Sequence, residues 1–242
     1  MNQKRIIMKF LILFLLPFLL IAKVHYAKIE PFDTIILKSS VSALVVEVDL
    51  EAEGSVVTQK RVIHLDDSLD KINLKTSNAK LAILQETLKR QKSSFQRINK
   101  LQTASRNQKD SAYYTFSSTK TQYLDMLYKV AQLKDIIEKK SLVLNDKYLY
   151  KLMVRKGDFV APGSALAEVM DVSKAKLVLF LEEETIKNIE KKTVYLDGVK
   201  TAYKVDKVWN VSDEKFISSY RAEIYISAPK DSFSKLVKVE IK

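Results

Sequence analysis

Few residues of this 242-residue chain could carry out chemistry. It contains no cysteine, which excludes disulfides, thiol catalysis and cysteine-ligated metals. His25 and His64 are the only histidines, so a zinc or iron site would depend on carboxylates, and a Ser-His-Asp arrangement would have to recruit His64 from inside a strand pattern. We predict that His64 is structural. We assign no catalytic residue, metal site or cofactor, and we expect no enzymatic activity.

The N-terminal segment, residues 1–27, predicts export or membrane insertion. Basic residues precede the apolar run Phe10–Ala22, and Lys23 follows it. The run is shorter than the roughly 20 residues that span a bilayer, which would suit a signal peptide. An uncleaved anchor with its N-terminus in the cytoplasm is slightly favoured, because Ile6–Met8 could extend the run.

Two glycine turns that lie far apart share one strand pattern. In each, a valine follows the glycine by three positions and a branched aliphatic residue follows by nine, which gives Val57 and Ile63 after Gly54, and Val160 and Leu166 after Gly157. Gly163 is a third turn glycine in these segments. Glycine accepts the positive φ of tight turns. The pattern predicts one small β-domain in two halves, residues 35–67 and 146–173. The alternative is two unrelated hairpins.

The insertion between the halves, residues 68–145, predicts two long helices. It lacks glycine and proline, Asp67 or Ser68 can cap its start, and the polar cluster at 105–110 suits a turn between the helices. Apolar residues at three-four spacing predict an antiparallel coiled coil. The first seam contains Leu74, Ser77, Leu81, Leu84, Leu88, Gln91, Phe95 and Ile98; the second contains Tyr113, Phe116, Lys120, Tyr123, Leu127, Val130, Lys134, Ile137, Ser141 and Leu144. Lys120 and Lys134 either mark a contact with another helix or lie off the seam.

Most of the net charge of +12 lies in the helical insertion. Residues 68–144 contain 15 Lys/Arg against 6 Asp/Glu. Such a stretch could bind nucleic acid, anionic lipid or an acidic protein. Export and the absence of a base-reading motif argue against nucleic acid. A solvated face of the helix pair is the preferred interpretation.

The C-terminal part, residues 174–242, has the pattern of a small β-barrel. Short strands are predicted at 177–181, 203–208, 220–227 and 236–241, and Asp197-Gly198 is typical of a tight hairpin turn. Gly198 is therefore a structural turn. Trp209, the only tryptophan, is predicted to lie in the core or at the barrel rim.

This order of segments resembles the periplasmic adaptor proteins, also called membrane fusion proteins or the HlyD family. The resemblance covers about Ile35 to Lys242, and residues 45–67 and 147–171 look like the halves of a lipoyl-type β-sandwich. It implies an α+β fold: a split lipoyl-like β-sandwich interrupted by a long antiparallel coiled-coil hairpin, followed by a small β-barrel, with an N-terminal membrane or signal segment.

The resemblance also implies a function. In that family the hairpin tip meets an outer-membrane channel, and the base packs on an inner-membrane transporter in a ring of subunits. A tip motif of many efflux adaptors is Arg, Leu four residues later and Ser seven further on; here Arg97 and Leu101 match, but Gln108 replaces Ser. We therefore expect a non-catalytic periplasmic adaptor of a tripartite efflux or secretion system, anchored in the inner membrane. Its partners would be an ABC or proton-driven transporter, a channel and copies of itself.

Three other functions compete with this one. A carrier domain presenting a lipoyl or biotinyl group is disfavoured, because the hairpin replaces the turn that bears the attachment lysine. A membrane-tethered coiled-coil scaffold without a transport role would show only self-association. An independent hydrolase lacks a nucleophile-base pair at recognisable spacing.

Overall fold

Most of the described residues lie in β-strands and two long α-helices. A computed structural model describes residues 23–212, 215–229 and 233–242. The strands are β1 (Val24–Lys38), β2 (Ala43–Val48), β3 (Ser55–Val57), β4 (Lys60–Leu65), β5 (Ser141–Leu144), β6 (Lys147–Leu152), β7 (Phe159–Val160), β8 (Ala165–Leu181), β9 (Val194–Leu196), β10 (Val199–Lys200), β11 (Lys207–Ser212), β12 (Tyr220–Ser227) and β13 (Leu236–Ile241). The α-helices are α1 (Ser68–Lys100), α2 (Arg106–Lys139) and the single turn α3 (Glu183–Ile186). The predicted combination of helix and sheet is confirmed.

The chain forms two compact units. One is Asp33–Asp171, here called the sandwich unit, which includes the long helices. The other, here called the barrel unit, joins the residues up to Phe32 with Val172–Lys242. Both boundaries fall inside strands, β1 and β8.

The strands of the sandwich unit pair across the helical insertion. Strands β5, β4, β2 and β7 form one sheet in that order, and β6 lies between β3 and β8 in the other. One apolar core joins residues from both sides of the insertion, including Val45, Ile63, Leu149 and Leu152, each at most 1% exposed. Because β4 and β5 pair directly, the two ends of the helical insertion meet at adjacent strands of one sheet.

Two of the predicted glycine turns tie the halves of this unit together. Gly54 has φ +80° and donates its N–H to the Leu149 carbonyl at 2.8 Å. Gly157 has φ +99° and donates to the Val45 carbonyl at 2.9 Å. Residues other than glycine rarely adopt such a positive φ, so glycine is the residue that suits each of these turns. Each bond joins one half of the split unit to the other.

The two long helices pack side by side, and the seam predicted for α1 is correct. All eight of its positions are buried or half-buried, and Ser77 is only 4% exposed. At 1.5 Å per residue, each helix is about 50 Å long. Coiled-coil packing of this pair stays a prediction.

The predicted seam of α2 is wrong at three positions, Lys120, Leu127 and Lys134. Phe116, Tyr123, Val130 and Ile137 face inward, as predicted. The positions between them are Thr119, Met126 and Leu133, one residue before the predicted Lys120, Leu127 and Lys134, which are exposed. Three-four spacing allows either choice, and the helix places the polar lysines in solvent. Tyr113, the first predicted position, is half-exposed, but its ring contacts Phe95 of α1 with centroids 5.6 Å apart.

Three predicted boundaries also differ from the structure. The turn between the long helices lies at residues 101–105, because Ser105 caps α2 and residues 106–110 are helical. Ser141–Leu144 forms β5, not the end of a helix, and Leu144 lies in the sandwich core. Val24–Ala27, grouped with the N-terminal segment, belongs to β1 and pairs with β13. Residues 1–22 of that segment lie outside the described residues. Within the described parts, no helix has the length and apolar character to cross a membrane.

The barrel unit encloses a second apolar core. Strand β13 lies between β1 and β9, and β12 lies between β8 and β11. The core contains Leu177, Leu179, Leu181, Ile224 and Val239, which are at most 2% exposed. Asp197 and Gly198 both have positive φ, as a two-residue hairpin turn requires. The strand predicted at 203–208 lies later, at β11.

His25 makes the stability of the barrel unit sensitive to pH. Burial, followed by the nearby Lys23 charge, lowers the pKa of His25 below its ordinary value of 6.5, and its Nε2 atom is buried without a hydrogen-bond partner among the described residues. The folded state therefore binds this proton more weakly than the unfolded state. Stability is lost as the pH falls through 6.5 towards the folded pKa.

We therefore predict that His25→Leu gains stability relative to the wild type as the pH falls from about 7.5 to about 5.5. Urea unfolding of the full-length protein at both pH values measures this difference. Both proteins keep His64, so His25 is the only histidine that differs between them. Equal pH dependence in the two proteins would show that His25 does not contribute.

Candidate partner-binding site at the helix tip

The turn between the long helices is fixed by a reciprocal capping arrangement. The Ser105 hydroxyl accepts a hydrogen bond from the Gln108 backbone N–H at 3.3 Å, and the Gln108 side-chain oxygen accepts one from the Ser105 N–H at 2.8 Å. This capping box satisfies two donors that the first turn of α2 would otherwise leave free. Gln108, predicted as a partner-binding residue, thus has a structural role at the tip.

Arg97 and Leu101 lie on the other side of the same turn. Leu101 ends α1, donates its N–H to the Ile98 carbonyl at 3.1 Å, and leaves 49% of its surface exposed. Arg97 lies in the last turn of α1 and is exposed. No hydrogen bond or ion pair to the Arg97 side chain is found among the described residues. Its cation near the helix C-terminus is favourable for the helix dipole.

An open groove runs along one side of the tip. It includes Leu101 and Gln108 but not Arg97, so the structure brings two of the three predicted residues together. The lining carries no charged side chain and is rich in small residues that the sequence analysis missed. The signal was the recurrence of small residues at helical spacing in α2, where Ser111, Ala112 and Thr115 line the groove. Ala104, in the turn, is a further small lining residue.

The tip half of the helix pair is strongly basic around this uncharged groove. Residues 87–120 contain one acidic residue, Asp110, and eight basic residues: Lys89, Arg90, Lys92, Arg97, Lys100, Arg106, Lys109 and Lys120. Asp110 lies 3.9 Å from Arg106, and both side chains are largely exposed. The positive field of such a surface favours an acidic partner and speeds its approach at low salt.

Aromatic side chains join the two helices near the tip. The rings of Phe95 and Phe116 stack with their centroids 5.8 Å apart, and the Tyr113 ring centroid lies 5.6 Å from that of Phe95. These contacts hold α1 against α2 about two to three turns from the tip.

At the base of the helices the structure brings together a serine, a histidine and an aspartate. His64 Nδ1 lies 3.1 Å from Ser141 Oγ, and His64 Nε2 lies 3.5 Å from Asp67 Oδ1. The other Asp67 oxygen pairs with Lys71 at 2.9 Å, and the Asp67 side chain is 6% exposed. These contacts join β4, β5 and the start of α1, which supports a structural role for His64.

A partly buried lysine, Lys140, also joins the helices at this base. Lys140 Nζ binds an Asp70 carboxylate oxygen at 2.5 Å and the Asp66 carbonyl at 2.7 Å. Hydrogen bonds from Ser68, first from its side chain and then from its N–H, lower the pKa of the exposed Asp66 carboxyl. These contacts join the end of α2 to the start of α1 and fix where the helix pair extends from the β-strands.

The capping box gives a direct test of the role of Gln108. Gln108→Ala should destabilise the start of α2 by about 1 kcal/mol, because the Ser105 N–H loses its acceptor. Gln108→Glu keeps an acceptor at this position and should retain near-normal stability. Thermal unfolding of both variants by circular dichroism measures the difference. Equal stability of Gln108→Ala and wild type would remove the structural role.

Sequence comparison and structural comparison give different results for this chain. No known protein family matches the sequence, and no curated protein matches it. A chimera of MacA and MexA containing the Pseudomonas aeruginosa MexA α-hairpin domain has a similar structure, with TM-score 0.68 and 19% identity over 91% of this chain and 80% of the chimera. The membrane fusion protein Spr0693 from Streptococcus pneumoniae R6 has a TM-score of 0.69 and 11% sequence identity. The match covers 91% of this chain and 99% of Spr0693.

A third structure agrees with these two. MacA from Actinobacillus actinomycetemcomitans has TM-score 0.57 and 18% identity over 92% of this chain and 79% of its own. The chain has the fold of the membrane fusion proteins, or periplasmic adaptors. The resemblance drawn from the sequence is confirmed at the level of fold.

Proposed function

We propose that this chain is a non-catalytic periplasmic adaptor subunit of a tripartite efflux or secretion system. It links an inner-membrane transporter to an outer-membrane channel, and copies of it assemble around the export path. The N-terminal segment anchors it in the inner membrane. The transporter is either an ABC or a proton-driven pump.

The observation that carries this proposal is how the helix pair extends from the β-strands of the sandwich unit. Strands β4 and β5 pair side by side, and the insertion between them extends as two helices of 33 and 34 residues. A pair about 50 Å long provides reach and not a pocket. Its fixed base and capped tip support a spacer that holds a contact surface at a distance from the β units.

The tip supplies the contact surface for the channel in this proposal. Leu101 offers exposed apolar area beside an uncharged groove, and the surrounding cations, Arg97 among them, attract acidic groups. Each tip contact is small. Several subunits that bind one channel together would gain affinity by multivalency, so weak individual contacts suffice.

Mild crosslinking in intact cells tests the proposal. The full-length chain is crosslinked, purified by an affinity tag, and its partners are identified by mass spectrometry. We expect an inner-membrane transporter together with an outer-membrane channel. Recovery of the chain alone, or only with copies of itself, would contradict the adaptor function and support the tethered scaffold.

A further inference from the structure

One end of the barrel unit exposes apolar side chains next to the hairpin between β11 and β12. Val211 and Ile217 are 77% and 81% exposed, and Phe216 is 44% exposed. The Phe216 ring packs on Phe180, with centroids 4.4 Å apart, which holds it beside the end of β8. We call Val211, Phe216 and Ile217 the apolar rim.

The apolar rim lies at the end of the barrel unit where the chain enters it. Strand β12 begins at Tyr220, which pairs with both Ser212 of β11 and Leu181 of β8. The next residue after Leu181, Glu182, forms an ion pair with Lys23, directly before β1. The first residues of β1 and the apolar rim are therefore at the same end.

This entry point is close to the N-terminal apolar run. The run ends at Ala22, and β1 begins at Val24. Two residues span at most about 7 Å of extended chain. If the run is inserted in a bilayer, as the proposed function requires, no linker separates this end of the barrel unit from the membrane surface.

Aromatic and basic side chains surround the apolar rim in the manner of membrane-interface residues. Trp209 lies between two cations, with Lys207 Nζ 4.3 Å and the Arg221 guanidinium carbon 4.8 Å from its ring centroid. Lys215 Nζ lies 5.9 Å from the Phe216 ring centroid. Long basic side chains can place apolar stems in the headgroup layer while their charges stay in water, and tryptophan is enriched there.

We propose that the apolar rim inserts into the headgroup region of the membrane that holds the N-terminal segment. It forms a second contact that orients the barrel unit on the bilayer. This inference rests on the anchor of the proposed function. Acidic residues also occur near the rim: Glu183 and Glu184 lie beside Glu182, and Asp213 and Glu214 stand in the sequence between Val211 and Phe216. Apolar insertion and not attraction to anionic lipid therefore provides the binding.

The absence of native cysteine allows a direct test. The full-length chain carrying Ile217→Cys is labelled with an environment-sensitive fluorophore and reconstituted alone in phosphatidylcholine vesicles with nitroxide-labelled lipid. The matched control is Leu236→Cys. Leu236 is 67% exposed and lies in the same unit. It pairs with Lys28 of β1, which is four residues, or about 13 Å, along the strand from the entry point at Val24.

We expect quenching by lipid to be at least about threefold stronger at position 217 than at position 236. Equal, weak quenching in chains that float with the vesicles would overturn this inference alone and indicate that the rim faces a protein such as the transporter. Chains that fail to float with the vesicles would overturn the inference and remove the anchor from the proposed function. Because the vesicles contain no other protein, strong quenching at 217 reports contact with lipid.

Discussion

Leu101→Asp is expected to abolish export and to reduce association with the channel at least about tenfold, while the helices remain folded. Leu101 is an exposed apolar residue beside the tip groove, and aspartate there introduces a charge that a closed contact would have to desolvate. Co-purification of the channel with the variant, together with a transport assay in cells, measures the effect.

Leu124→Asp is the matched control for this substitution. Leu124 is also 49% exposed, and it lies in the same helix pair, 18 residues into α2 from Arg106 and about 27 Å from the tip. Export should persist in this variant. Equal loss of export in both variants would indicate general damage to the helix pair, and unchanged export in Leu101→Asp would exclude the tip as the contact.

Leu133→Ala is expected to destabilise the helix pair by about 2 kcal/mol, because Leu133 is 9% exposed between α1 and α2 and its removal leaves a cavity. Leu127→Ala should cost less than about 0.5 kcal/mol, because Leu127 is 44% exposed. Urea unfolding followed by far-ultraviolet circular dichroism compares the two.

This pair of variants also tests the corrected seam. Both remove the same atoms from the same helix, so helix propensity and side-chain chemistry are matched. A larger loss for Leu127→Ala than for Leu133→Ala would restore the seam that the sequence predicts and contradict the packing described above.

The sequence predicted the β pairing better than the α2 seam. The matching patterns around Gly54 and Gly157 predicted that both turns belong to one β-domain. Glycine is an informative signal because few other residues adopt positive φ. Two seams of α2 fit the three-four spacing. One includes Lys120, Leu127 and Lys134, and the other includes Thr119, Met126 and Leu133. The lysines at 120 and 134 were a sequence signal for the other solution, and packing against α1 confirms it by burying Thr119, Val130 and Leu133.

The tip site was predicted only in part. The family resemblance implied Leu101 as a tip residue. The capping signal Ser-x-x-Gln was present at Ser105 and Gln108, but Gln108 was interpreted as a partner-binding position. The groove could not be predicted, because its lining comes from both helices and the turn, and the turn was placed several residues too late. The His64 and Ser141 contact depends on the pairing of β4 with β5, across 77 residues of sequence.

Site-specific photocrosslinking from two ends of the sandwich unit tests the central claim most directly. A photoreactive amino acid replaces Leu101 at the tip in one variant and the 56%-exposed Val56 of β3 in another, each in the full-length chain in cells. The proposal predicts an outer-membrane channel crosslinked to position 101. From position 56 it predicts the inner-membrane transporter or a neighbouring copy of the chain. The absence of a channel at position 101, with the chain exported and folded, would contradict it.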